Sequence, residues 1–224
     1  MTRTRLCDRI LPLYTKGEEI FNMVSHITGG ALGVVALVLC VIASLVNGDA
    51  IGVVAGGIYG ISLITLYTMS SVYHGLHCGT AKKVMQVLDH CTIYFLIGGS
   101  YTPVLLCGML PTQRVWAIIL FCTVWGFAIL GATFTAIDLK KYSRLSMACY
   151  IGMGWSIVMA AKPALTALRG EALFWLLLGG IAYTVGAVLY GVGKKHKYMH
   201  SIFHLFVVAG SILQFVGIFF YIIV

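Results

Sequence analysis

The chain has 224 residues, 60% of them hydrophobic and only 10% charged, with a net charge of +8, and its mean hydropathy is +0.96. A soluble domain carries about 25% charged residues, so this chain has too little polar surface to cover a globule in water and reads as an integral membrane protein. No nucleic-acid-binding module and no basic groove interleaved with aromatics is present, so no nucleic-acid partner is expected and the positive charge is read as an insertion and lipid-headgroup signal.

In chain order, residues 1–25 form a short polar segment, in which Glu19 and Asn22 are expected to cap the start of the first helix, though they can also reach an inner cavity. The first apolar run, Ile27 to Val46, is opened by His26. Its GGALGVVALVLCVIASLV does not alternate apolar and polar residues, so spans of about 20 helical residues fit better than the strands of about 10 residues found in a barrel. The run is longer than a signal core and lacks an A-x-A cleavage pattern, so it is not expected to be removed. The second run, Ile51 to Ser71, is followed by His74 and His77. Gly29/Gly33 and Gly56/Gly60 have the spacing that lets helices approach closely.

The third run, Val84 to Cys107, carries Asp89 and His90 near its start and G-S-Y-T-P at 99–103, where Pro103 is expected to kink or loosen the helix and the hydroxyls to act as helix glue or cavity wall. Val115 to Ala136, a short fifth run from Leu145 to Ala161, and Ala172 to Val192 follow. The seventh, Ser201 to Val224, is reached through His196, His200 and His204. Short connections leave no room for a second domain, so residues 1–224 read as one seven-helix membrane domain of all-α class. The seven cysteines show no C-x-x-C spacing and mostly fall inside spans, where Cys behaves as a small hydrophobe.

Lysine and arginine placement sets the expected orientation. Twelve fall on one side: Arg3, Arg5, Arg9, Lys16, Lys82, Lys83, Lys140, Lys141, Arg144, Lys194, Lys195 and Lys197. The other side has Arg114, Lys162 and Arg169. The N-terminus is therefore expected in the cytoplasm and, with seven spans, the C-terminus outside.

On that topology all seven histidines fall at one membrane face. Asp89 lies several residues inside an apolar run, where a carboxylate at mid-bilayer costs about 2.5–3.5 kcal/mol and less near the interface. It either caps its helix, pairs with Lys82 or Lys83, or faces an internal polar site. His200 and His204, at positions i and i+4, share one helix face with Cβ atoms about 5–6 Å apart, which suits two ligands of one divalent ion. A third nitrogen and a carboxylate to hold water would complete a catalytic type of zinc site, with three protein ligands and one open position. His74, at the end of the second span, is the natural third ligand, and Asp89 is the natural water-holder. Among the competitors, His196 sits within KKHK, where ammonium groups disfavour a cation. His90 is about 100° round the helix from Asp89, so the two are not expected to face one site. His77 and Cys78 could form an exposed metal pair.

The residues E-x-x-N-x-x-S-H (Glu19, Asn22, Ser25, His26), S-x-x-x-H (Ser70, His74), D-H-x-x-I-Y (Asp89 to Tyr94) with G-S-Y-T-P, and H-x-x-x-H (His200, His204) occur in that order. Together they resemble the bacterial hemolysin III branch of the progestin and adipoQ receptor family over essentially the whole chain. The resemblance implies a seven-helix bundle in the bacterial inner membrane with zinc near the cytoplasmic leaflet. It implies His74, His200 and His204 as the zinc ligands, Asp89 as the acid that holds water at the site, and Ser70 as the serine one turn before the first ligand. Relatives in that superfamily include lipid amidases, which implies zinc-dependent hydrolysis of a membrane lipid. The long cytosolic extension of the hormone-responsive members is absent, and His90 replaces the aromatic residue that follows their acid. Two function classes follow: a zinc hydrolase acting on a lipid amide or ester, with Asp89 and Ser70 as its working groups, or a pore-forming cytolysin or non-catalytic membrane regulator with structural zinc. A water pore needs polar residues along its full depth, whereas here the ionisable groups stop near one face and the last helix continues as VGIFFYIIV.

Overall fold

The computed structural model describes residues 4–6, 8–192 and 196–224; Arg3, Lys194 and Lys195 of the charge asymmetry, and Cys7, lie outside the described residues. Helix α1 spans Lys16–Val46, α2 Ala50–Gly75 and α3 Thr80–Pro103, which continues as a π-helical turn over Val104–Met109. Then come α4 (Arg114–Ile137), a broken span made of α5 (Ser143–Gly154), a 3₁₀ turn (Ser156–Ala160) and α6 (Ala161–Ala167), and α7 (Gly170–Val192). Helix α8 (Met199–Ile218) ends in a second π-helical turn, Phe219–Ile223. Among the described residues these make seven segments long and apolar enough to cross a membrane.

The first helix begins eleven residues before the apolar run does. Thr15 and Glu18 form a reciprocal capping box: Glu18 N–H donates to Thr15 Oγ1 at 3.3 Å and Thr15 N–H to Glu18 Oε2 at 2.8 Å. This corrects the sequence expectation that Glu19 and Asn22 cap the helix. Both lie inside α1, and His26 sits in its third turn rather than at its opening. The buried residues Asn22, His26, Gly29, Gly33, Ala36, Cys40 and Ser44 form one stripe at spacings of three and four, the period of a helix face. Polar at its upper end and small below, this stripe meets α2 so closely that a Cβ on Gly60 would lie 2.5 Å from the Leu37 Cα, and one on Gly33 2.9 Å from the Ile64 nitrogen. The glycine spacing is therefore packing, as expected.

Helix α1 packs most extensively on α2, α2 on α3, and α7 on α8, while α8 also closes against α1. Tyr67 Oη donates to Ser211 Oγ at 2.6 Å and Tyr183 Oη lies 2.8 Å from the same oxygen, tying α2, α7 and α8; such bonds between membrane helices average about 0.6 kcal/mol. Val38, Ile42, Ile118, Leu130, Phe174 and Ile181 stay exposed along the outer surfaces, a belt that suits lipid rather than water.

Pro103 loosens its helix as expected, and the widened turn follows directly after it. Tyr101 of the same cluster mends the break in the fifth span. Its hydroxyl donates to the Gly154 carbonyl at 2.8 Å and accepts from the Ile157 N–H at 3.1 Å, satisfying backbone groups that lipid could not.

Candidate metal centre and its cavity

Helix α2 runs four residues beyond the expected span end and so carries His74 into the bundle, where its side chain is fully buried. Helix α8 starts at Met199 and presents His200 and His204 one turn apart. The His200 Nε2 lies 3.3 Å from His74 Nε2 and 3.1 Å from His204 Nε2, and all three ligand atoms fall within 4.8 Å of one another. Two nitrogens at about 2.0–2.1 Å from a common tetrahedral ion stand about 3.3 Å apart, so these separations fit one small divalent cation. A neutral imidazole offers a single N–H, and three Nε2 atoms aimed at one point cannot all be satisfied by each other. The nearby Asn22 amide, both His26 ring nitrogens and the Ser70 hydroxyl are also buried without hydrogen-bond partners. Such a concentration of orphaned polar atoms at one place is what an ion and its water satisfy.

The orientation of His74 comes from residues that sequence reasoning placed elsewhere. Glu19 Oε2 lies 2.6 Å from His74 Nδ1, and Lys82 Nζ donates to Glu19 Oε1 at 2.7 Å and to the Leu76 carbonyl at 2.9 Å. A carboxylate accepts only, so Nδ1 carries the proton and Nε2 is left with a free lone pair for a metal. This carboxylate–histidine arrangement is how proteins fix a ligand's tautomer and ring plane. Lys82 is thus held by Glu19, which removes it as the partner of Asp89. Tyr14, just before α1, lies parallel over His200 with ring centroids 5.0 Å apart and 9° between planes. Burial pushes its phenol well above the ordinary value, so it covers the cluster as a neutral ring. His26 stacks on His204 at 3.7 Å.

Asp89 is buried on α3 and lines the same cavity as Ser70 of α2 and His200 and His204 of α8. The Ser70 hydroxyl makes no hydrogen bond of regular geometry. His90 stays out of the three-nitrogen cluster, its Nδ1 lying 2.8 Å from the Gln86 carbonyl oxygen, yet its ring comes within 3.7 Å of an Asp89 oxygen. Both residues line the same cavity, which corrects the expectation that they face different environments. His77, Cys78 and His196 are exposed.

That cavity, about 440 Å³, passes between α3, α5, α7 and α8. His26, Ser70, Asp89, His200 and His204 line its upper part, and it runs down to Tyr183, Thr184 and Gln214. Below it the fully buried Leu105, Met109 and Ile218 fill the bundle. The polar wall ends in a packed apolar floor. A site of this size suits a small-molecule ligand.

A family model described as Haemolysin-III related matches residues 14–215. The chain is 38% identical over 206 residues to "Hemolysin-3" of Bacillus cereus, covering 92% of each. It is 36% identical over 209 residues to "Hemolysin-3 homolog" of Bacillus subtilis (strain 168), covering 93% of this chain and 96% of that one. The Homo sapiens "Monocyte to macrophage differentiation factor" is 29% identical over 172 residues, 72% of this chain and 67% of its own. The matched region begins at the tyrosine over the histidine cluster and contains the cluster itself, and on this extent the chain belongs to the Haemolysin-III related family.

Proposed function

We propose that this protein is a zinc-dependent hydrolase of a lipid amide or ester in the bacterial inner membrane, affecting membrane lipid homeostasis, with His74, His200 and His204 as metal ligands and Asp89 and Ser70 as working groups. The observation that carries this reading is the meeting of three Nε2 atoms beside a buried carboxylate, at the head of a cavity with an apolar floor. His74, His200 and His204 would hold a small divalent ion with a position left open, and zinc held there would supply Lewis acidity and make water reactive at neutral pH. Asp89 takes the proton from the attacking water and returns it to the leaving amine or alkoxide as the C–N or C–O bond breaks, leaving a fatty acid. Ser70 steadies Asp89 or donates to the oxygen on which negative charge develops. Glu19, with Lys82 behind it, holds the His74 ring in place. The cavity wall receives an acyl chain and keeps bulk water from the reacting bond.

The rival reading, a pore, is disfavoured for a single chain by the apolar floor of Leu105, Met109 and Ile218, which interrupts any polar passage among the described residues. The test is release of free fatty acid from N-acyl and O-acyl lipids by purified protein. Release should stop on chelation and resume with zinc. Release indifferent to chelation, or none with any such lipid while the protein leaks vesicles, favours the alternative.

A further inference from the structure

The cavity is also touched by a cation that the proposed chemistry does not use. Arg9 belongs to the N-terminal segment, which folds back over the bundle on two backbone turns, Asp8 N–H to Arg5 O at 3.1 Å and Arg9 N–H to Leu6 O at 3.4 Å. The segment is tied down where Thr4 N–H donates to Asp138 Oδ2 at 2.8 Å, in the loop between α4 and α5. Arg9 is only 8% exposed, and its Nε and Nη1 are buried without a hydrogen-bond partner. None of the ion pairs among the described residues involves it. The adjacent Asp8 side chain is 64% exposed, with one carboxylate oxygen 3.9 Å from Arg5 Nε.

A guanidinium with two of its three nitrogens shut away from water without a hydrogen-bond partner is costly, and its fork of donors matches the oxygens of a phosphate. Arg9 lines the cavity together with Lys140, and it also lines a second pocket against Val84, Val87 and Leu88. Deeper in, the cavity is walled by Ile93, Ile97, Ile151 and Phe203. The acidic groups on the lining are Asp8, whose side chain is 64% exposed, and Asp89. A ligand whose anionic head meets Arg9 therefore has its remainder among apolar side chains.

We propose that Arg9 is the headgroup anchor of this cavity, and that the ligand is an amphiphile carrying a phosphate, with its chain along the apolar wall. This deepens the lipid reading by naming the headgroup. It rests on that reading for the cavity's use as a lipid chamber and not on turnover. Inorganic phosphate would satisfy the same donors, so the test separates the two sources.

Binding is measured by native mass spectrometry on full-length protein in an uncharged detergent. The probes are lysophosphatidic acid, the monoacylglycerol of the same chain, and inorganic phosphate. The unmutated protein should bind the phosphorylated amphiphile about tenfold or more tightly than the neutral one, the scale of a hydrogen bond to a charged group. Arg9→Gln should erase that difference while leaving the monoacylglycerol affinity and the zinc content unchanged, and Arg9→Lys should keep part of it. Inorganic phosphate should compete only at concentrations far above those of the lipid; phosphate binding as tightly as the lipid would overturn the headgroup assignment in favour of a free-anion site. Equal affinity of the unmutated protein for the two amphiphiles overturns the proposal without recourse to any variant. Absence of lipid turnover in the same samples counts against the hydrolase reading alone.

Discussion

The two ends of the bundle are built from the same helices and hold together by opposite means. At one end α1, α2, α3 and α8 bring Asn22, His26, His74, Lys82, Asp89 and His204 out of water, with Glu19 half-buried beside them. At the other they bury Leu105, Met109, Phe215 and Ile218. Apolar packing suffices to hold a bundle in lipid, and every polar group kept there costs free energy. The polar end is therefore the part of the molecule not explained by stability, and the apolar end shows what the same helices do when stability is all that is needed.

Substitutions at the two ends should separate these roles. The largest effect is expected from His200→Ala/His204→Ala, which leaves one imidazole nitrogen at the cluster. Metal analysis of the purified protein should fall from about one zinc per chain to none, with a lowered melting temperature because bound metal stabilises the folded state. Full zinc in this double variant would remove the polar end's purpose, while His196→Ala, in an exposed position, should keep it. At the apolar end, Leu105→Ala should cost about 2–5 kcal/mol of stability and leave zinc stoichiometry intact; metal loss there would mean that the two ends are coupled. Glu19→Gln should weaken zinc about 10- to 100-fold without unfolding, read by competition with a chelator of known affinity, since the amide no longer holds His74 Nδ1–H by charge. Lys82→Met should act in the same direction and less strongly.

The smallest effect concerns the strap that carries Arg9. Asp138 is held down to about 2 from its ordinary 3.8, chiefly by the Thr4 backbone N–H. Because the folded value is the lower one, its stabilisation is complete above the ordinary carboxyl value and lost as pH falls through about 2. The melting-temperature gap between the unmutated protein and Asp138→Asn should be constant from pH 7 to about 4 and close below it. A gap that widens on acidification would contradict the assignment.

Much of this was legible in sequence because lipid imposes one simple rule on a span. Unbroken apolar runs of helical length gave the seven spans, with ends off by several residues where polar residues continue the helix, as from Lys16 to His26. The H-x-x-x-H pair and His74 could be nominated from helix geometry, and the structure brings their Nε2 atoms together. The role of Glu19 was hidden because hydropathy begins counting after it. Two signals were nonetheless present: Thr15-x-x-Glu18 is a capping box, and Glu19, Asn22 and His26 continue the three-and-four spacing of the glycine stripe. Tyr14 and Arg9 left no such mark. Their places depend on the N-terminal segment folding back onto distant helices, which no local spacing encodes. The break in the fifth span was equally silent, since Gly154 and Ile157 find their partner in Tyr101, more than fifty residues away.

The central claim, that the polar end performs chemistry and is not only a clasp, is tested most directly by Asp89→Asn. Zinc content and lipid hydrolysis should be measured on the same preparation. An amide of that size can accept a hydrogen bond but cannot take up a proton, so zinc and melting temperature should stay near those of the unmutated protein while hydrolysis falls by about 10²–10⁴-fold. Cells carrying the variant should have the lipid profile of cells lacking the protein. A zinc-loaded Asp89→Asn protein with undiminished function would contradict the account and leave the cluster a structural metal site.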